Sequence, residues 1–187
     1  MKFINKKIVL GTAQLDKNYG LKKKRKIISP KQMRNIINYA KIKNINFLDT
    51  ASSYKNSEKI LNKVRLEGFN IIGKIEKIRQ HKNVFNLMKK KVTEAKKKLK
   101  INSFYAYLIH DEEDLYSKKG REIYNSLLKI KKVGLIKKIG ISIYNFKDLP
   151  KILNKFKLDI IQLPYNLFDR RLENKRLLKL LKKKNIE

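Results

Sequence analysis

Two rhythms of apolar residues alternate along this chain: short, nearly unbroken runs, and longer stretches in which apolar positions recur every three or four residues. The first run, within Lys7 to Gln14, is Ile8-Val9-Leu10 ending in a glycine turn, which predicts a strand. Asn18-Tyr19-Gly20 gives a second turn signal. Ser29-Pro30-Lys31-Gln32 predicts a helix start, with Ser29 as cap, Pro30 in the first turn and Gln32 completing a capping box. Behind it Met33, Ile36, Ile37 and Ala40 form a helical stripe ending near Asn44. Ile45 to Leu48 reads as the second strand, and Asn56-Ser57-Glu58 opens a helix running through about Arg65.

The same alternation continues. Phe69 to Lys74 is a third strand, and Asn83 begins a helix with Met88, Val92, Ala95 and Leu99 on one face. Phe104 to Ile109 is the fourth strand, and Ser117 to Val133 a helix stopped by Gly134. Lys138 to Ser142 is the fifth strand; a helix follows, starting between Asn145 and Pro150 because proline belongs in a first turn. Leu158 to Leu163 is the sixth strand, and Leu172 onward is a Lys/Leu-rich helix that the C-terminus cuts off. Strand and helix thus alternate throughout, with no linker and no shift in composition, as one α/β domain over residues 1–187. Strands buried on both faces argue for a parallel sheet covered by helices, either an open doubly wound sheet or a barrel. Gly11 stands alone in its turn, so the Gly-x-Gly-x-x-Gly dinucleotide fingerprint is missing.

Composition changes this picture in two places. The chain has no cysteine, which excludes disulfide staples and thiolate metal sites. Its net charge of +32 raises the question of a nucleic-acid partner. Lysine is spread over almost every helix, however, and no aromatic-plus-basic signature of a nucleic-acid groove is present, so the charge reads as solvated helix faces and no specific nucleic acid is expected. No apolar run approaches the roughly 18 residues of a membrane span, and charge interrupts the N-terminus too early for a signal peptide. A soluble cytoplasmic protein is expected.

The chemistry-bearing residues follow the strands. Asp49 stands where the second strand meets its loop and Tyr54 lies five residues on; Lys74 ends the third strand, and His110 follows the fourth. Taken singly, a helix-capping Asp, a half-buried Tyr, a solvated Lys and a structural His would each pass without comment. Polar groups at the carboxyl ends of parallel strands are where α/β proteins assemble their sites, which favours reading the four together. Asp111-Glu112-Glu113-Asp114 suggests a metal cluster by composition but specifies no coordination geometry, and is expected to be a solvated loop.

Together these segments resemble the aldo-keto reductase family. Gly11-Thr12-Ala13-Gln14 is similar to its first-strand turn. Asp49-Thr50-Ala51, Tyr54 and Ser57-Glu58 resemble its Asp-Thr-Ala-x-x-Tyr-Gly-x-Ser-Glu signature, with Lys55 in place of the glycine. Leu108-Ile109-His110 with Asp114-Leu115 resembles the fourth-strand histidine segment, Gly134 to Ser142 the Gly-Lys-Ile-Arg-x-Ile-Gly-Val-Ser segment, and Gln162 with Tyr165-Asn166 the sixth-strand end. The resemblance covers essentially the whole chain. It implies a (β/α)8 barrel and NADP(H)-dependent reduction of an aldehyde or ketone. On this reading Tyr54 is the general acid, Lys74 lowers its pKa from about 10, Asp49 holds Lys74, and His110 orients the carbonyl. Ser142 and Gln162 would hold the nicotinamide carboxamide, and Gly11, Thr12 and Asp49 would complete the cofactor-binding set, with Thr12 and Asp49 near the ribose. The Gly-Thr-Ala-Gln subgroup hints at a sugar-like carbonyl.

The chain also departs from that pattern. Such barrels usually take about 250 residues, so about six of eight β/α units are expected here, in a truncated, incomplete barrel without the loops after strands seven and eight that grip the cofactor phosphates. On this resemblance the nicotinamide-stacking aromatic of the seventh strand is expected to be missing as well, and Ile143 stands where many members carry asparagine. Unpaired first and sixth strands would invite self-association. The alternatives are an inactive remnant or a subunit needing another chain, and a basic nucleic-acid-binding protein on a reused scaffold.

Overall fold

Helix α1 (Pro30–Ile42) begins as its sequence dictates. In the computed structural model, which describes residues 8–16, 28–54 and 56–187, Ser29 Oγ accepts from the Gln32 amide at 3.2 Å. The Gln32 side chain accepts in return from the Ser29 amide at 2.9 Å, and Pro30 sits in the first turn. Met33, Ile37 and Ala40 are buried, while Ile36 lies at the margin. The chain leaves the helix through Asn44, which adopts a left-handed φ of 56°. The turn signal at Asn18-Tyr19-Gly20, the N-terminal Met1 to Lys7 and Lys55 lie outside the described residues.

Six strands, β1 (Val9–Gly11), β2 (Phe47–Asp49), β3 (Asn70–Ile75), β4 (Phe104–Ile109), β5 (Ile136–Ser142) and β6 (Ile160–Gln162), form one parallel sheet in the order β1-β2-β3-β4-β5-β6. That order settles the choice the apolar pattern leaves open. A doubly wound sheet reverses direction at a switch point; here every strand lies beside its successor, as in a barrel. The sheet is a curled half-barrel with β1 and β6 as its outer strands.

The helices cover the convex face. α3 (Val84–Leu99) buries Val84, Met88, Val92, Ala95 and Leu99, one face at helical spacing, and turns its lysines outward. α5 (Gly120–Lys132) packs beside it through Ile123, Leu127 and Ile130, and Gly134 closes its end with φ 76°. α6 (Leu149–Lys155) carries Pro150 in its first turn, preceded by a 3-10 turn at Phe146–Asp148.

Three elements differ from the sequence expectation. The helix after Asn56 is a single short one, α2 (Ser57–Leu61), because Asn62 to Arg65 continues as turns. A further short helix, α4 (Glu113–Tyr116), occupies the acidic run. The last helix, α7 (Lys175–Lys183), does not run to the C-terminus. Asn185 turns the chain with φ 53°, and the Glu187 backbone then pairs with β6: its N–H donates to Asp159 at 3.1 Å and its carbonyl accepts from Ile161 at 2.9 Å.

Gly140 is where strand approach leaves no room for a side chain. A Cβ there would lie 2.0 Å from the Ile160 carbonyl oxygen of the paired strand. The obstacle is backbone, so relief requires β5 and β6 to separate. Gly140→Ala is expected to destabilise the protein by about 1–3 kcal/mol, read as a fall of several degrees in Tm by thermal denaturation; an unchanged Tm would contradict this packing.

Candidate active site

Strand register decides which side chains meet. Gly11 pairs with Asp49 and Asp49 with Ile72, so Lys74 stands one step further up the same face of the sheet. Lys74 pairs with Leu108, which places His110 another step up, beside Ser142 after the Ile109–Ile141 pair. Ser142 pairs with Gln162. Because successive residues of a strand face opposite sides, Asp49, Lys74, His110, Ser142 and Gln162 all point to the concave side. They rise in steps from Asp49 through Lys74 to His110, and His110, Ser142 and Gln162 stand level.

The loop after β2 brings Tyr54 to the same place. Its small polar residues fasten it down: the Thr50 amide donates to the Ile72 carbonyl at 2.9 Å, and Ser52 donates through its hydroxyl to the Lys74 carbonyl at 3.2 Å. Ser57, at the start of α2, donates through both amide and hydroxyl to the Tyr54 carbonyl, at 3.0 and 2.9 Å. The Ser-Glu after the tyrosine therefore fixes the tyrosine's backbone. Glu58 continues outward to an ion pair with Lys98 of α3 at 2.9 Å.

The result is a cleft of about 260 Å³ lined by Asp49, Tyr54, Lys74, His110, Ser142 and Gln162, with Ala13, Ile143, Tyr144, Leu163 and Pro164 completing its walls. Larger hollows of about 500 and 490 Å³ lie elsewhere, over α6 and α7 and at the foot of α5, and contain none of the four strand-end groups. Lys74 is 3% exposed and forms a buried ion pair with Asp49 Oδ2. Burial draws the Lys74 ammonium below its usual range, and the Asp49 charge opposes that pull. Lys74 Nζ lies 5.6 Å from the centre of the Tyr54 ring. The His110 ring stands edge-on to Tyr54 at 6.3 Å. Burial also lowers the His110 pKa, the Lys74 charge lowers it further, and Glu76, Asp49 and Asp111 act against both.

Of the other residues singled out in the sequence, Thr12 is buried and its hydroxyl donates to the Asp49 carbonyl at 2.9 Å, so it braces the strand end that carries the aspartate. Gly11, at the end of β1, is the register partner of Asp49. Neither lines the cleft. Ser142 and Gln162 do.

The acidic run is not a solvated loop. Asp114 is fully buried and accepts from the amides of Ile78 and Arg79 at 3.1 and 2.9 Å. The Arg79 guanidinium is shared among Asp111, Glu113 and Asp114. Glu112 accepts from the Tyr144 and Asn145 amides at 3.2 and 3.4 Å, so one acidic stretch ties together the loops after β3, β4 and β5. Among the described residues no cluster of three or more candidate ligands could hold a metal. Sequence reading also passed over Glu76, whose carboxylate lies 3.5 Å from His110 Nδ1. The signal was available: Glu76 follows Lys74 by two residues and so shares its side of the chain.

Comparison with known proteins gives a consistent result. The family model described as "Aldo/keto reductase family" matches residues 7–187. No curated protein sequence matches. Among solved structures, an aldo-keto reductase from Pseudomonas aeruginosa described as putative is similar with a TM-score of 0.77 and 21% identity, over 95% of this chain and 69% of that one. The holo form of an aldo-keto reductase from Bacillus halodurans gives 0.74 and 20%, over 96% and 59%. An aldo-keto reductase from Klebsiella pneumoniae in complex with NADPH gives 0.68 and 18%, over 95% and 60%. The chain thus spans between three-fifths and about two-thirds of the length of these proteins. At such identities the likeness establishes the fold.

Proposed function

Because the chain belongs to the aldo/keto reductase family, we propose that its cleft performs NADP(H)-dependent reduction of an aldehyde or ketone to an alcohol. The observation that carries this reading is the convergence of Asp49, Tyr54, Lys74 and His110 on one cleft. The cofactor's nicotinamide end suits the residues present. Asp49 Oδ1 is buried there with no hydrogen-bond partner among the described residues, an acceptor suited to a ribose hydroxyl. Ser142 and Gln162 add a hydroxyl and an amide of the kind that hold a carboxamide. At about 260 Å³ the cleft falls just below the usual range of small-molecule sites, so it would admit the nicotinamide ring and a small carbonyl head, with the remainder of the dinucleotide lying outside it.

When bound, the nicotinamide supplies the hydride. The protein's task is to hold the carbonyl and give its oxygen a proton. Tyr54 is the donor in this reading. The Lys74 ammonium, 5.6 Å from its ring centre, favours the phenolate and so eases release of the phenolic proton. Asp49 keeps that ammonium in place. Thr12 braces Asp49 in turn, so its role here is support rather than cofactor contact. His110 orients the carbonyl oxygen.

Titration of the purified chain with NADPH, followed by cofactor fluorescence, tests the proposal. Micromolar binding together with reduction of small aldehydes is expected. Absence of binding at millimolar cofactor would remove the enzyme reading for this chain alone and favour one that acts only with another polypeptide.

A further inference from the structure

His110 meets a carboxylate that the chemistry above does not use. Glu76 Oε2, on the residue two beyond Lys74, is a charge 3.5 Å from His110 Nδ1, and Nδ1 is buried with no hydrogen bond to any described residue. A neutral imidazole has one proton to place. Left bare, Nδ1 would turn a lone pair toward an anion; protonated, it faces an acceptor. We propose that Glu76 is a positioning residue that keeps the His110 proton on Nδ1, so that neutral His110 offers the cleft an acceptor at Nε2 and becomes a donor there only as the imidazolium.

The inference rests on the reductase reading and deepens it, because it assigns a preferred direction at each pH. A carbonyl oxygen needs a donor, and an alcohol hydroxyl can use an acceptor. Neutral His110 therefore suits the alcohol, and protonated His110, with Nδ1–H toward Glu76 and Nε2–H toward the carbonyl, suits reduction. The charged and titratable groups around the ring come from every element that packs on it: Asp49 from β2, Tyr54 from the loop after β2, Lys74 from β3, Glu76 beyond it and Asp111 after β4. Burial and Lys74 favour the neutral ring, since both push its pKa below 6.5. The imidazolium therefore gains ground only as pH falls below that value, and carbonyl reduction should rise over the same range.

The chain contains only two histidines, so ¹⁵N NMR of the full protein can resolve the His110 ring without any need for turnover. The neutral ring is expected to show the Nδ1–H tautomer, shifting to Nε2–H in Glu76→Gln, whose amide can donate to Nδ1, and in Glu76→Leu. In kinetics, the wild-type KM for the carbonyl should rise several-fold between pH 5 and pH 8 while kcat changes less, and Glu76→Gln should flatten that rise. An Nε2–H tautomer in the wild type, or identical KM profiles in wild type and Glu76→Gln, would overturn the assignment. The expected tautomers in a protein that never turns over a carbonyl would leave the role of Glu76 intact and remove the reductase reading instead.

Discussion

Tyr54→Phe is expected to lower turnover of carbonyl reduction by about 10²- to 10⁴-fold and to leave NADPH affinity unchanged. The substitution removes the phenolic hydroxyl and keeps the ring. The Tyr54 backbone is held by Ser57 through two hydrogen bonds to its carbonyl and by its own N–H, which donates to the Ala51 carbonyl, none of which involves the ring. A phenylalanine ring keeps the edge-on approach to His110 and the contact with the Lys74 ammonium. Loss of rate therefore reports the proton and not a collapsed loop. Steady-state kinetics with a small aldehyde, alongside cofactor fluorescence titration, measures both quantities. Turnover within tenfold of wild type would dismiss Tyr54 as the donor.

The second large effect concerns stability. Asp49→Ala strands the Lys74 ammonium where it is 3% exposed, and breaking a buried pair by removing one partner costs about 3–5 kcal/mol. Replacing both partners, as in Asp49→Leu with Lys74→Met, removes the charge along with its counterion and should recover most of that loss. Urea denaturation of the three proteins tests this. A double variant as unstable as the single one would mean that the pair also holds the fold together. The pH dependence distinguishes the two further. The folded-state pKa of Lys74 lies below 10.5, so the unfolded chain binds more protons between those values and stability rises with pH in that window. Without Asp49 the folded value drops further and the window widens downward. Asp49→Ala should therefore regain stability on going from neutral pH toward 10, more steeply than wild type. Under the proposed function, the buried pair would serve the chemistry of the cleft as well as the fold.

Much of this could be read along the chain because it depends on local spacing. The capping box at Ser29 and Gln32, the apolar stripe of α3, and the stop at Gly134 are each written within a few residues, and each recurs in the fold. The barrel-type strand order follows the resemblance, since apolar runs alone do not say which strand lies beside which. Asp49, Lys74 and His110 could be grouped because each ends a strand, and parallel register then stacks them by steps of two residues. What stayed hidden were contacts between distant segments. The fold sets Arg79 against acids more than thirty residues away, a contact that no local spacing announces. The acidic run looked solvated for the same reason, and α4 was concealed within it. The short span of α2 was obscured by Ile60, Leu61 and Val64, which are buried whether or not the helix continues.

The guanidinium of Arg79 has a bearing on what the cleft can accept. It is gripped by three carboxylates, and Glu112 extends the same brace to the backbone at Tyr144. The His110 flank is thereby a fixed jamb. The opposite wall, at Leu163 and Pro164 after β6, leads into Leu167 and Phe168, which are almost wholly exposed. A guest molecule would be oriented by the rigid flank and sorted by the far one, so altered selectivity should come from residues 163–168, with the proton-handling side left undisturbed.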